Sequence, residues 1–222
     1  MTLIGISMTD MILHGFWRSS ASWRVRIAMG LKGLTWSDRT YRLRAGEQRS
    51  DAYMAINPQG LVPALEVDGT VLTQSMAICE YLEETVDRNP MINGSALQRV
   101  EIRRLVALFD DNFYADVTEP ALHEKMKKRI VLRQSPDAQV LRQLGRMLHG
   151  HLDYIDWLVD TRQWLAGPQL SLADLTCAAH LSVVEYLGAI DWKGHEQTQG
   201  WYMVVKSRPS FRPLLSEKME GI

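Results

Sequence analysis

The 222-residue chain has only two cysteines, Cys79 and Cys177, and no Cys-x-x-Cys pair. That excludes a disulfide framework and a dithiol redox or zinc motif, and two lone thiols suit a reducing compartment. Net charge is almost absent: 25 Lys and Arg stand against 26 Asp and Glu, a balance of −1. So weak a field offers nothing to nucleic acid or to an anionic membrane surface. No apolar run approaches the length of a membrane-spanning helix. The first 16 residues hold no Lys or Arg, and Asp10 interrupts their apolar stretch, so no secretory signal is expected. The expected location is the cytoplasm.

Familiar catalytic signatures are missing too. There is no Walker loop, no Gly-x-Gly-x-x-Gly and no Gly-x-Ser-x-Gly. His123-Glu124 opens like a zinc-protease pattern, but Lys127 stands where the second histidine is needed. His149 and His151 are two apart, and on a helix such residues face different sides. Ligand spacing therefore offers no metal site. The basic run over residues 125–129 reads as a solvated helix face.

What is present is ordinary globular composition, 46% hydrophobic and 23% charged, in a length that suits one large domain or two small ones. The first half changes period quickly. Residues 11–15 read as a buried strand ended by Gly15. Val25, Ile27, Ala28 and Leu31 have helical spacing from about Trp23, and Lys32-Gly33 supplies the stop. Residues 35–43 alternate as a strand, and 44–50 form a polar loop. Residues 51–56 make one or two helical turns, broken by Asn57-Pro58-Gln59-Gly60. Residues 62–67 and 70–73 pair as a hairpin, because Asp68-Gly69 accepts the positive φ angles of a tight primed turn. Ser75 then caps a helix to about residue 86. The order βαβαββα over residues 11–86 is a thioredoxin-like α/β domain.

Residues 87–96, with Asn-Pro and Asn-Gly, form a linker, and 97–222 are an all-α domain. Helices are expected over 97–117, over 137–160, and over 171–187, the last nearly apolar all round. Ser171-Leu172-Ala173-Asp174 is a capping box for that third helix. Trp157 and Trp164 are expected in the core.

Three junctions of the first domain carry candidate chemistry. The Ser19-Ser20-Ala21-Ser22 turn lies at a helix start, where free N–H groups and the dipole favour an anion. A hydroxyl there can donate to a thiolate and lower its pKa; the plainer alternative is that Ser22 caps the helix. Pro63 opens a strand, and a cis bond would turn the backbone of Val62 outward toward an extended peptide. Gln74-Ser75 offers a second helix start suited to a carboxylate. Singly, each is a turn or a cap. Together they outline a site for a peptide thiol.

The segments Ser19-Ser-Ala-Ser-Trp-Arg-Val-Arg-Ile-Ala28, Asn57-Pro-Gln-Gly-Leu-Val-Pro-Ala-Leu65 and Gln74-Ser-Met-Ala-Ile-Cys-Glu-Tyr-Leu-Glu-Glu84 resemble the cytosolic glutathione transferases. They are most similar to the zeta class, which includes maleylacetoacetate isomerases. The resemblance implies glutathione as cosubstrate, a small electrophilic substrate and a homodimer. It makes Ser19 the activating hydroxyl with Ser20 beside it. Val62, next to a cis Pro63, would pair with the cysteinyl backbone of glutathione, and Gln74 and Ser75 would hold its γ-glutamyl carboxylate.

Two departures stand out. Ala21 replaces the cysteine usual in the zeta pattern. Residues 172–190 also hold no Lys or Arg where a dicarboxylate isomerase would place a cation, the register falling at Tyr186. Both argue against maleylacetoacetate as substrate. Asp191-Trp192 and residues 201–215 are similar to a group of α-proteobacterial transferase-like division proteins that bind FtsZ filaments. That resemblance implies a protein partner and no catalysis. The simpler reading is that Pro209 and Pro213 break one helix from the next.

Overall fold

A computed structural model describes residues 10–215. They divide into two units between Arg88 and Asn89. The first holds a four-stranded sheet of order β2-β1-β3-β4, from β1 (Met11–Gly15), β2 (Ser37–Thr40), β3 (Ala64–Val67) and β4 (Thr70–Thr73). β1 runs parallel to β2 and antiparallel to β3, and β3 and β4 form the expected hairpin. Asp68 and Gly69 at its turn have φ of +47° and +80°, the two positive values a primed turn requires. β2 is shorter than its alternation suggests. It is an exposed edge strand with only β1 to pair with, so hydrogen bonding ends where β1 ends.

α1 (Ser20–Leu31) packs against α3 (Ser75–Thr85), and α2 (Asp51–Met54) is a single turn capped by Ser50. Leu13, Val25, Ala28, Leu65, Ile78 and Leu82 are fully buried in this unit. So is Lys32, at the end of α1. Its ammonium lies 3.0 Å from Glu83 and donates to the carbonyls of Val86 (2.7 Å) and Arg88 (3.3 Å). A buried cation persists because it closes the C-terminus of α3, where orphan carbonyls and the dipole favour positive charge.

The second unit is helical. α4 (Ala96–Ala107) opens with a capping box between Ser95 and Gln98. The helix expected to close near residue 117 runs on instead. It passes through π-helical Leu108–Thr118, the short turn α5 (Glu119–Ala121) and π-helical Leu122–Leu132. Pro120 has no N–H for the carbonyl four residues back, yet the helix continues through it. Within the basic run, Lys125 donates to the carbonyls of Leu187 (3.0 Å) and Gly188 (2.6 Å), and Lys128 meets Glu124 at 2.8 Å. Part of the expected solvated face therefore closes the end of another helix.

α6 (Ala138–Thr161), capped by Asp137, buries Leu144, Leu148, Leu152, Ile155 and Leu158. Trp157 lies beside that stripe and is 55% exposed, contrary to the core position expected from its size. Its ring stacks on Tyr154 at the helix surface. Trp164 is buried as expected. α7 (Leu172–Tyr186) is the central helix, followed by α8 (Glu196–Lys206) and α9 (Arg212–Leu215). Among the described residues, no helix is long and apolar enough to cross a membrane.

The capping box at α7 reaches further than its own turn. One oxygen of the fully buried Asp174 accepts from the N–H and the hydroxyl of Ser171, each at 2.9 Å. The other accepts from the Leu165 N–H (2.9 Å) and the Trp201 indole (3.0 Å). Burial pushes this carboxyl's pKa up, while the four donors pull it down. The carboxylate thus joins the loop before α7, the helix start and α8. Asp174→Ala should destabilise the chain by more than about 3 kcal/mol in urea unfolding, because buried donors lose their acceptor. Ser171→Ala should cost only about 1 kcal/mol, the usual effect of a lost cap.

Candidate active site

The sheet register gathers the three junctions. His14 pairs with Ala64, and Ala64 with Thr73. The chain therefore leaves β1, enters β3 and leaves β4 at one end of the sheet. Ser19, Val62-Pro63 and Gln74-Ser75 all follow from that end within a few residues.

α1 begins at Ser20, three residues earlier than its apolar spacing suggests, and Ser19 is the cap. The hydroxyl oxygen of Ser19 accepts from the Ser22 N–H at 3.2 Å. Ser22 is therefore not the cap; its Oγ accepts from the Phe16 N–H at 3.3 Å and braces the approach to the helix. Gly15 is needed there, because a Cβ on it would stand 3.3 Å from that Oγ. Ser19 is half-buried and Ser20 is 8% exposed. Capping uses an oxygen lone pair of Ser19, so its O–H remains available as a donor.

The Val62–Pro63 bond is cis. The carbonyl of Leu61 just before it is held twice, by the Tyr53 hydroxyl (2.6 Å) and the Asn57 amide (2.7 Å). Burial pushes the Tyr53 pKa up to about 12, which keeps this hydroxyl protonated as a donor. Gly60, with φ of +63°, makes the turn, and a Cβ there would stand 3.1 Å from the Gln48 carbonyl. The preceding strand adds His14, whose Nδ1 lies 2.9 Å from the Tyr41 hydroxyl; burial lowers its pKa and keeps it neutral. These contacts fix the chain entering Pro63. They leave the backbone of Val62 with no hydrogen-bond partner among the described residues.

Gln74, not Ser75, occupies the cap position of α3, and Ser75 is the first helical residue. Gln74 has φ of +68°, a value costly for a side chain that is not glycine. Its amide donates to Gln59 at 2.9 Å, tying it to the loop before Pro63. Ser75 Oγ accepts from the guanidinium of Arg24, which is 3% exposed and comes from α1.

Arg24 is the group that motif reading passed over. The available signal was its alternation with Trp23, Val25 and Ile27 in a helix otherwise apolar, where a charge must have a partner. Its neighbour Arg26 is also buried, pairs with Asp38 at 2.6 Å and lies over the Trp17 ring. The two thiols take no part. Cys79 and Cys177 are both buried, and burial drives the Cys177 pKa upward.

Residues 18–85 match the family model of the glutathione S-transferase N-terminal domain. FtsZ-localized protein A of Caulobacter vibrioides is 40% identical over 214 residues, covering 95% of this chain and 92% of that protein. A maleylacetoacetate isomerase of Pseudomonas aeruginosa is 35% identical over 182 residues, covering 80% of this chain and 83% of the enzyme. Among solved structures, a glutathione S-transferase of Rhodospirillum rubrum F11 superposes with a TM-score of 0.89 at 43% identity, covering 96% of this chain and 94% of that one.

The backbone at Gln74 makes its own prediction. Gln74→Gly should raise stability by about 1 kcal/mol in urea unfolding, since glycine adopts that φ without steric cost.

Proposed function

Because the chain belongs to the glutathione S-transferase family, we propose that it binds glutathione at the three junctions and activates the thiol with Ser19. The Ser19 hydroxyl donates to the thiolate at the start of α1, and Ser20 adds a second hydroxyl and N–H at the same helix end. Val62 pairs its N–H and C=O with the cysteinyl backbone, as an edge strand pairs with a peptide. Gln74 and Ser75 hold the γ-glutamyl carboxylate at the α3 start, with Arg24 behind Ser75 supplying positive charge. The observation that carries the reading is the register His14–Ala64–Thr73 together with the Arg24 to Ser75 contact.

The chemistry asked of the protein is modest. The thiol gives its proton to water, and hydrogen bonds to sulfur make that loss easier. The thiolate then displaces a leaving group from an electrophile. Alternatively it adds to a cis double bond, allows rotation about the resulting single bond, and departs again. The missing cation over residues 172–190 favours an electrophile without two carboxylates to hold. A cytoplasmic location and a homodimer belong to the same reading. Leu97 and Val100 on α4 are 82% and 61% exposed, an apolar pair that a second copy would cover.

A second reading has its own support in the likeness to the Caulobacter FtsZ-localized protein, which covers 95% of this chain. In it the chain is a non-catalytic partner of a filament-forming protein. The exposed Met203 and Val204 of α8, 54% and 52% accessible, are available to such a contact.

Calorimetric titration with glutathione separates the two. Binding at millimolar affinity or tighter is expected. Gln74→Ala should weaken it roughly tenfold through loss of a carboxylate contact. Ser19→Ala should bind within a few-fold of the parent, yet raise the pKa of the bound thiol and slow conjugation of chlorodinitrobenzene by roughly 100-fold. No heat and no thermal stabilisation at 10 mM glutathione, on the order of ten times the weakest affinity expected, would remove the transferase reading and leave the protein partner.

A further inference from the structure

His149, Asp153 and Asp156 lie on α6 at positions i, i+4 and i+7, one stripe along the helix surface. The segment entering α8 lays His195 against that stripe. His195 is 1% exposed, whereas His149 and Asp153 face solvent. Its Nδ1 stands 2.5 Å from Asp156 Oδ2. The other oxygen of Asp156 accepts from the Thr198 N–H (2.8 Å) and the Thr198 hydroxyl (2.7 Å). Asp156 is thus held on both oxygens, and it selects the His195 tautomer with the proton on Nδ1.

That tautomer leaves a lone pair on Nε2, directed at His149 Nδ1 only 2.6 Å away. Two ring nitrogens at this separation share either a hydrogen bond from the His149 Nδ1–H or a metal ion in place of that proton. Asp153 completes the group: one ligand atom from each of His149, Asp153 and His195 lies within 4.8 Å of the others.

We propose that His149 Nδ1, His195 Nε2 and a carboxylate oxygen of Asp153 bind a divalent transition-metal ion of the zinc class. Two imidazoles and one carboxylate suit zinc and its neighbours, while magnesium and calcium seek mostly oxygen ligands. Asp156 plays the outer carboxylate that orients a metal-bound histidine through its far nitrogen. Tetrahedral binding with metal–nitrogen bonds of about 2.0–2.1 Å sets the two nitrogens roughly 3.3 Å apart. The His149 ring therefore needs to move outward by less than about 1 Å from its 2.6 Å contact, and its exposure permits this. Water fills the fourth position. The ion would clamp α6 to the start of α8, within the helical unit and sharing no residue with the thiol site.

The spacing rule that dismissed a metal here paired His149 with His151. His151 instead turns to Asp116 at 3.0 Å, and the true neighbour of His149 comes from 46 residues along the chain.

The test is calorimetry and thermal denaturation of the full, tag-free chain with zinc sulfate, and with magnesium chloride for comparison. Expected are one zinc per chain at micromolar affinity, a rise in melting temperature and no response to magnesium. Asp153→Asn changes an exposed side chain and should keep the parental melting temperature without metal. His149→Ala also removes the partner of the buried His195 Nε2 and should lower it slightly. Each should weaken zinc binding at least tenfold, and His151→Ala should not. Cobalt(II) should give tetrahedral visible bands with the parent and none with His149→Ala. No saturable zinc binding up to millimolar concentration would overturn the proposal. So would affinity or cobalt bands that survive His149→Ala, because the ion would then sit on other surface histidines.

Discussion

Much of the first unit depends on one constraint, the register that sets β1 beside β3 and β3 beside β4. Strand pairing is all or nothing at the level of side-chain direction, because a slip of one residue turns every side chain to the opposite face. With Leu13 opposite Leu65, and Leu65 opposite Leu72, the sheet fills its core and leaves no freedom in where the strands end. The α1 start, the turn before Pro63 and the α3 start are therefore neighbours by construction. No ligand is needed to assemble them, and each needs only its own local bracing.

That bracing comes mainly from buried polar groups. Tyr53 and Asn57 share the Leu61 carbonyl, Ser22 holds Phe16, and Lys32 closes α3. In the helical unit Asp174 does the equivalent with four donors. Each group is costly to bury alone and tolerable only with its full set of partners, so each admits a single local arrangement. Ser19 shows how little separates a structural from a chemical role. The same hydroxyl that starts a helix by accepting an N–H still has an O–H with which to donate a hydrogen bond.

Arg24 extends this logic across the unit. A guanidinium in an apolar helix is worth its desolvation only where it meets acceptors, and one of them is the hydroxyl at the next helix start. It lends positive charge to a point where the α3 dipole is already positive. Such a place is poorly suited to anything but an anion. The histidine pair of the helical unit is the opposite case, a cluster of ring nitrogens and carboxylates that could hold a cation.

Short-range physics was readable from the residues alone. The Asp68-Gly69 turn, the Ser171 to Asp174 cap, the buried stripe of α6 and the three candidate junctions each act within a few residues, so their chemistry is written locally. Boundaries were less legible. Ser19 rather than Ser22 caps α1, although both serines are good caps, and the helix beyond residue 117 continues through Pro120 against its local propensity. What only the tertiary structure decided are the contacts between distant residues: Arg24 with Ser75, 51 apart, and His195 with His149, 46 apart. Trp157 belongs with them, since a large ring is core or surface according to which stripe its helix buries. Sequence spacing specifies which side chains share a face of one element, but the face they meet is set by how the elements pack.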